Sequence, residues 1–321
     1  MSVKEIELGK LVPEKFIEAK VRDLQTVVGD GLAVNALSGG VDSSTVTLLG
    51  HRALGKRLKT YFIDNGIMRE GEPKFVADTF RALGVPVELV DAQDAFFKAL
   101  AGITDPEEKR EAITRTFYKD VFGGLVKRSG AKFLLQGTIY TDVEETVAGI
   151  KRQHNVLAQL GIDTEAAYGY RVIEPVIELR KPAVRAVARA LGLPAGIAER
   201  PPFPGPALTA RVIGEATRER IATVRKATTV VEHELGGIGA FQCMAILHAD
   251  RVTGIRDGKR DFGQQIEIRC WDTKDAVTAA PTRVPFDILE RLAARLTAEV
   301  PGVVSVTYSV TRKPPSTMEA V

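Results

Sequence analysis

Short apolar runs alternate with amphipathic stretches over the first two thirds of the chain. The apolar runs that predict strands cover residues 32–37, 58–63, 87–90, 132–136 and 171–175. The stretches in which apolar residues recur at helical spacing cover residues 13–29, 42–49, 72–83, 93–100, 105–127 and 181–191. Strands that are mostly apolar and alternate with helices predict a parallel sheet covered by helices on both faces.

The pattern changes after residue 206. The predicted elements there are helices over 215–235 and 285–298 and strands over 241–247, 264–271 and 303–310. They indicate a small antiparallel sheet with helices. Residues 201–206 contain five prolines or glycines in six positions, so this stretch can be neither helix nor central strand. We predict an α/β domain over residues 1–199 and a small α+β domain over residues 200–321, with the proline-rich stretch as a linker or a ligand-positioning loop.

The first predicted strand leads into a turn rich in glycine and hydroxyl groups. The turn and the start of the following helix consist of Ser38, Gly39, Gly40, Val41, Asp42, Ser43 and Ser44. The first amides of a helix lack partners within it, and the helix dipole favours negative charge there. Glycines let a phosphate approach the backbone closely, and serine hydroxyls add donors. The turn therefore predicts a phosphate-binding loop, and the alternative is an ordinary helix cap.

Two further strand ends carry polar residues and a glycine. They consist of Ile63, Asp64, Asn65 and Gly66 in one case and of Gln136, Gly137 and Thr138 in the other. In an open parallel sheet, ligands bind at the carboxyl ends of the strands. Three polar strand ends that meet at one edge predict a nucleotide site.

Composition and charge argue against several classes of function. The net charge is +3 over 321 residues with both signs interspersed, which gives no strong signal for nucleic-acid or membrane binding. The two cysteines, Cys243 and Cys270, and the four histidines show no metal-binding spacing. The N-terminus lacks a signal-peptide core, and no apolar run is long enough to span a bilayer. We expect a cytoplasmic protein with reduced thiols.

Several motifs resemble those of one enzyme family. Residues 38–44 are similar to the pyrophosphate-binding loop of ATP pyrophosphatases, and they are not a Walker loop because no Gly-Lys-Ser/Thr follows. Three more stretches follow in order: Gly-Thr-Ile-Tyr-Thr-Asp at 137–142, Pro-Phe-Pro-Gly-Pro at 202–206 and Lys-Pro-Pro-Ser-Thr-Met-Glu at 313–319. Together they resemble GMP synthases without a glutaminase domain. The resemblance implies a parallel-sheet, adenine nucleotide alpha hydrolase-like ATP pyrophosphatase domain followed by a small α+β dimerisation domain.

The resemblance also implies a reaction. This family adenylates the C2 oxygen of xanthosine monophosphate with ATP, and ammonia then displaces AMP to leave GMP. By correspondence with the family's motifs, the catalytic residues are Asp142, Glu145, Lys151 and Lys181, and the ligands of Mg²⁺ are Asp42 and Asp142. ATP would bind at the three strand ends described above. Residues 148–170, which include Lys151, predict a mobile lid, with a plain connecting loop as the alternative.

The family holds its small-molecule acceptor nucleotide with the proline-rich loop and the C-terminal tail. The corresponding residues are Pro204, Gly205, Pro206, Arg211, Lys313, Thr317 and Glu319. The resemblance further implies a homodimer through the C-terminal domain. The chain carries no glutaminase signature, so ammonia would come from a separate glutamine amidotransferase subunit or from solution. No nucleic-acid partner and no membrane partner are expected.

Departures from the family pattern keep other functions open. The family usually has histidine at position 201 and glycine at position 207, where this chain has Pro201 and Ala207. It also has Lys-Ser-His-His-Asn where residues 151–155 read Lys-Arg-Gln-His-Asn. A related ligase, or a sulfur or nitrogen transferase, that adenylates a different acceptor would fit these changes. A catalytically silent homologue is a third hypothesis, against which the intact 38–44 loop argues.

Overall fold

The computed structural model describes residues 3–147, 169–200, 203–256, 258–273 and 277–320. Contacts between residues divide the chain into two compact units, and each is described by itself. The first unit comprises residues 1–64, 72–91 and 117–202, and the second comprises residues 65–71, 92–116 and 203–321. The predicted lid, apart from its last two residues, and Lys151 within it lie outside the described residues. The division into domains at residues 199 and 200 stays a prediction.

Helices and strands alternate along the chain. Up to residue 147 they are α1 (Pro13–Val28), β1 (Ala33–Ala36), α2 (Val41–Leu54), β2 (Leu58–Asp64), α3 (Glu72–Ala82), β3 (Val87–Asp91), α4 (Gln93–Leu100), α5 (Pro106–Arg115), α6 (Gly123–Ser129), β4 (Phe133–Leu135) and α7 (Tyr140–Val147). From residue 169 they are β5 (Arg171–Ile173), α8 (Lys181–Ala190), α9 (Ala195–Ala198), α10 (Arg218–Leu235), β6 (Gln242–Arg256), β7 (Lys259–Asp272), β8 (Ala280–Pro281), α11 (Phe286–Glu299) and β9 (Val303–Tyr308).

A five-stranded parallel sheet in the order β3-β2-β1-β4-β5 forms the centre of the first unit. The prediction of a parallel sheet is therefore confirmed. Ala33 and Val34 of the central strand are fully buried, as expected for a strand with neighbours on both sides and helices packed against the sheet. Because the strands are parallel, their carboxyl ends share one edge, and the loops that follow β1 and β4 meet there.

Two helix predictions differ from the structure. Helix α2 ends at Leu54 rather than near residue 49. A Cβ on Gly50 within it would lie 2.5 Å from Leu135 Cδ1 and 2.9 Å from Leu58 Cδ2, so this glycine permits close packing on the sheet instead of ending the helix. The single helix predicted over 105–127 is divided into α5 and α6 by a π-helical segment, Thr116–Phe122.

The second unit contains a mixed sheet. β6 and β7 form a long antiparallel hairpin, β8 pairs antiparallel with β7, and β9 pairs parallel with β7. The α+β architecture is confirmed, but the parallel pairing of β9 differs from the antiparallel sheet predicted from the sequence. The hairpin also extends well beyond the predicted strands, because its outer part is mostly exposed and lacks the apolar alternation that marks a strand.

A buried cluster lies beneath the C-terminal tail. It comprises Met244, Ile246, Trp271 and Ala279, and Met318 and Ala320 of the tail pack against it. Nearby, Cys243 of β6 lies opposite Cys270 of β7, and both thiols are free. Among the described helices, none has the length and apolar character needed to cross a membrane.

Candidate functional site

The 38–44 loop has the backbone geometry of an anion-binding turn. Gly39 has a φ of +80°, and a Cβ there would lie 2.9 Å from Val76 Cγ2. Glycine adopts this conformation without strain and also avoids the clash. Gly40 is the N-cap of α2 and has extended backbone. The first amides of α2, which have no partner within the helix, are thus available to an anion at the turn.

The hydroxyl groups of this loop are tied to one another. The Oγ atoms of Ser38 and Ser43 lie 2.9 Å apart, and Ser43 Oγ also donates to the Gly40 carbonyl at 3.1 Å. The Ser38 amide donates to Ser43 Oγ at 3.2 Å. Ser44 is buried, and its hydroxyl makes no hydrogen bond to the residues that the structure describes. A loop fixed in this way loses little conformational entropy when a ligand binds.

The segment after β4 lies directly on the start of α2. A Cβ on Gly137 would lie 3.0 Å from the Ser43 amide nitrogen and 3.2 Å from the Asp42 carbonyl carbon. Glycine is therefore needed for the two strand ends to meet. Gln136 Nε2 donates to Thr138 Oγ1 at 3.1 Å, and Thr138 is buried. The structure thus brings together two of the three strand ends that the sequence predicted to form a site.

The third predicted strand end follows β2, which pairs with β1 in the same sheet. Ile63 is buried, and Asp64 is the last residue of the strand. In the second unit, Asn65 is buried and its Oδ1 accepts a hydrogen bond from the Ile67 amide at 3.1 Å. This local bond closes a turn of the kind that asparagine favours. The assignment of these residues to the adenine stays a prediction.

Asp42 and Lys181 form an ion pair beside the loop. Lys181 is the first residue of α8, and its Nζ donates to Asp42 Oδ2. The other carboxylate oxygen, Asp42 Oδ1, is buried and makes no hydrogen bond within the described part of the chain. A buried carboxylate oxygen of this kind is costly unless a further donor or cation is bound.

Asp142 lies in the first turn of α7. Its Oδ2 accepts a hydrogen bond from the Ile139 amide at 3.0 Å, which fixes the carboxylate at the segment that follows β4. Glu145 comes three residues later in the same helix, so the two acidic positions share a face, although the Glu145 side chain is outside the described part. Desolvation raises the pKa of Tyr118 to about 12, and Tyr170 and Asp142 add to this shift.

In the second unit, the proline-rich loop leads into a short 3₁₀ helix, Ala207–Arg211. Ala207 has a φ of +52°, a conformation that residues with a Cβ rarely adopt. The guanidinium carbons of Arg69 and Arg211 lie 3.8 and 4.8 Å from the centroid of the Phe203 ring. These cation–π contacts attach the start of the loop to two buried cations.

Arg211 is nearly inaccessible to solvent, with 1% of its side chain exposed. Its Nε lies 3.5 Å from Glu319 Oε2, which is too long for a strong hydrogen bond. Its Nη1 is buried and has no hydrogen bond among the described residues. Burial lowers the pKa of Arg211, and the Glu319 carboxylate opposes this effect. The guanidinium remains charged and is suited to bind an oxygen of a ligand.

The C-terminal tail is ordered by backbone contacts. The backbones of Lys313 and Ala279 exchange two hydrogen bonds, of 2.9 and 3.1 Å. Thr317 Oγ1 donates to the Glu319 carbonyl at 2.7 Å, so this hydroxyl has a partner within the tail. The structure therefore places Glu319 beside Arg211, as the predicted acceptor site requires. The part that the Lys313 side chain plays in this site stays a prediction.

Sequence reasoning missed three side chains that hold the tail. Gln242 Nε2 donates to Glu319 Oε1 at 3.3 Å, and Trp271 Nε1 donates to the Met318 carbonyl at 3.3 Å. Arg269 Nη1 donates to two further tail carbonyls, at 3.2 and 3.4 Å. No local motif marks these residues, because their partners lie 47 to 77 positions later in the chain. The one available signal was that Trp271 is the single tryptophan.

Comparisons with known proteins agree with this arrangement. Residues 13–205 match the family model of NAD synthase, and residues 236–320 match that of the GMP synthase C terminal domain. A subunit of the glutamine-hydrolyzing GMP synthase of Archaeoglobus fulgidus is 46% identical over 307 residues, which cover 95% of this chain and 98% of that protein. The chain belongs to this family of GMP synthase subunits. The corresponding subunit of Pyrococcus furiosus is likewise 46% identical, over 95% of this chain and 97% of that protein.

Membership of the GMP synthase family confirms the resemblance seen in the sequence. It also confirms that the chain is an ATP-dependent ligase with a pyrophosphate loop in its first unit. The roles of individual side chains stay predictions, which the contacts described above make specific.

Proposed function

We propose that this chain converts xanthosine monophosphate to GMP with ATP and ammonia. The C2 oxygen of the xanthine attacks the α-phosphorus of ATP, and the bond to the β-phosphate breaks with release of pyrophosphate. Ammonia then adds at C2, and AMP leaves with the former C2 oxygen. One proton is lost in each step. The observation that carries this proposal is the left-handed Gly39 turn before α2 in a chain of the GMP synthase family.

The 38–44 loop is suited to hold the pyrophosphate that leaves. Its donors are the amides at the start of α2 and the hydroxyls of Ser38, Ser43 and Ser44. Negative charge develops on the leaving group in the transition state, and a cation fixed nearby stabilises it. Lys181, held by Asp42, supplies such a cation. Lys151 is assigned the same role from the family correspondence alone.

Magnesium fits the acidic groups of the first unit. Asp42 Oδ1 is buried and lacks a hydrogen bond among the described residues, and carboxylate oxygen is a donor that this ion prefers. Asp142 would be a second ligand by family correspondence, and Glu145 is assigned to the same region. When bound, magnesium would offset the charge of the triphosphate.

The second unit is suited to hold the acceptor nucleotide. Arg211 offers buried donors to a carbonyl or phosphate oxygen, and the Glu319 carboxylate can accept from the polar edge of a purine. Lys313 and Thr317 are assigned to the phosphate. Residues 204–206 form a wall whose prolines lose little entropy on binding.

We further propose two protein partners. The relatives are named as subunits of glutamine-hydrolyzing GMP synthases, which supports a separate glutaminase subunit as the source of ammonia. A second copy of the chain is expected to pair through the second unit, since two-fold dimers are the commonest oligomers. Sedimentation velocity at micromolar concentration should show a dimer, and a monomer would contradict this part. The cytoplasmic location stays a prediction.

The reaction is tested by incubation with ATP, magnesium, ammonium and xanthosine monophosphate. AMP, pyrophosphate and GMP should form in equal amounts, measured by chromatography and by phosphorus magnetic resonance. Release of ADP instead of AMP would contradict the adenylation step. If xanthosine monophosphate fails to stimulate AMP release while another acceptor succeeds, the chain is a related ligase with a different acceptor.

A further inference from the structure

One arginine binds two carbonyl groups of the C-terminal tail. Arg269 lies in β7 with 13% of its side chain exposed. Its Nη1 donates to the carbonyl oxygens of Thr317 at 3.2 Å and Glu319 at 3.4 Å. These carbonyls belong to two of the residues proposed to hold the acceptor. The two hydrogens on one guanidinium nitrogen can serve both oxygens in a fixed geometry.

Arg269 is itself held in position by a carboxylate. Its Nε donates to Glu267 Oε1 at 2.7 Å, and Glu267 Oε2 lies 2.8 Å from His248 Nε2. Burial acts to raise the pKa of Glu267, but hydrogen bonds from Arg269 and His248 hold it below its usual value. Glu267 is therefore charged at neutral pH, and charge-assisted hydrogen bonds of this kind fix the orientation of a guanidinium.

The same segment determines where the Glu319 carboxylate points. Its carbonyl is bound by Arg269, while its carboxylate lies 3.5 Å from Arg211 and 3.3 Å from Gln242. Without Arg269, two carbonyls of the tail would lose their charged donor. The tail could then rotate about the remaining contacts, which would displace the carboxylate from Arg211.

We propose that Arg269 is a positioning residue for the acceptor site. It fixes the tail so that Glu319 faces Arg211, and it acts through the tail rather than on the reacting atoms. This inference rests on the proposed function, because it assumes that the tail holds the acceptor.

The fluorescence of Trp271 reports the docking of the tail without any substrate. Trp271 is the single tryptophan, 1% of its surface is exposed, and its Nε1 donates to the Met318 carbonyl. Arg269→Met should shift its emission to longer wavelength, toward that of a chain truncated after residue 316. Arg260→Met, which removes the same charge from an exposed position of β7, should leave the emission unchanged. Wild-type emission in Arg269→Met would overturn the anchoring role.

Kinetics test the link to the acceptor. Arg269→Met should raise the apparent KM for xanthosine monophosphate by about tenfold, with kcat and the KM for ATP changed less than about twofold. Arg269→Lys keeps the charge and one donor, so it should recover part of the loss. A fall in kcat alone, or an equal rise in the KM for ATP, would overturn the inference.

The two measurements separate this inference from the proposed function. A fluorescence shift without any change in the KM for xanthosine monophosphate would overturn the positioning role while showing that the tail is anchored by Arg269. If the unmodified chain makes no GMP, the proposed function fails, and the fluorescence of Arg269→Met still decides whether Arg269 holds the tail.

Discussion

The two candidate sites of the molecule are specified in opposite ways. The pyrophosphate loop consists of consecutive residues, 38–44, whose conformation follows from one left-handed glycine and the start of a helix. The acceptor site of the second unit is assembled from side chains whose tail partners lie 47 to 77 positions away. A local motif therefore identifies the first site, whereas only the folded sheet creates the second.

This difference has consequences for substitutions. A change in the loop acts on a small set of groups that are adjacent in sequence, so its effect should be confined to ATP chemistry. A change in the second unit acts through the tail and the sheet, so its effect should fall on the acceptor and leave ATP binding intact. The following predictions test this division, from the largest expected effect to the smallest.

Lys181→Met should cause the largest loss of activity. It removes the cation paired with Asp42 beside the pyrophosphate loop. Loss of one group that stabilises developing charge typically costs about 100- to 1,000-fold in kcat. The rate of AMP formation at saturating substrates measures the effect. Lys74→Met is the control, since Lys74 belongs to the same unit and 83% of its side chain is exposed. A loss below tenfold would remove Lys181 from the catalytic residues.

Lys313→Ala should damage acceptor binding next. Losing one charged contact to a phosphate costs about 1.5–3 kcal/mol, which corresponds to a rise of roughly ten- to a hundredfold in the apparent KM for xanthosine monophosphate. The KM for ATP should change by less than about twofold. Lys259→Ala, at the exposed start of β7, is the matched control. If the KM for ATP rises instead, the division of labour between the two units is wrong.

The sequence predicted the local features of the first unit and little of the second site. Apolar runs marked the parallel strands, and Gly39 and Gly40 marked the loop, because these features depend on neighbouring residues. Gly50 misled the prediction of helix α2, since a glycine that serves packing looks the same in sequence as one that ends a helix.

The clamp on the tail could not be predicted from any pattern. Arg269 and Gln242 look like ordinary polar residues of a strand, and their role depends on the register of β6 and β7 and on the path of the tail. The outer part of the hairpin was missed for a related reason, because strands exposed on both faces carry no apolar alternation.

Gly39→Ala should destabilise the first unit by about 1–2 kcal/mol, the usual cost of a left-handed conformation for a residue with a Cβ. The new Cβ would also lie 2.9 Å from Val76 Cγ2. Gly40→Ala is the matched control for stability: its nearest neighbour would be Ser38 Oγ at 3.5 Å, and its φ of −77° suits alanine. Urea denaturation followed by circular dichroism compares the two. Equal stability would show that the loop tolerates a side chain at Gly39.

Ala207→Gly should produce the smallest effect, and of the opposite sign. Ala207 has a φ of +52°, where the family pattern usually has glycine. Relief of the left-handed strain is worth about 1–2 kcal/mol, and the greater freedom of glycine in the unfolded chain returns about 0.4–1 kcal/mol of it. A net gain of roughly 0.5–1 kcal/mol in the free energy of unfolding should remain.

The control for this change is Ala210→Gly in the same 3₁₀ helix. Ala210 is buried and does not have a positive φ, so it gains nothing from glycine and should lose roughly 0.5–1 kcal/mol. Urea denaturation followed by Trp271 fluorescence reports on the second unit for both variants. Opposite signs would show that strain at Ala207, and not loop rigidity in general, limits stability there. If Ala207→Gly also destabilises the unit, the contacts of the Ala207 methyl group outweigh the strain, and the loop depends on packing, as the rest of the acceptor site does.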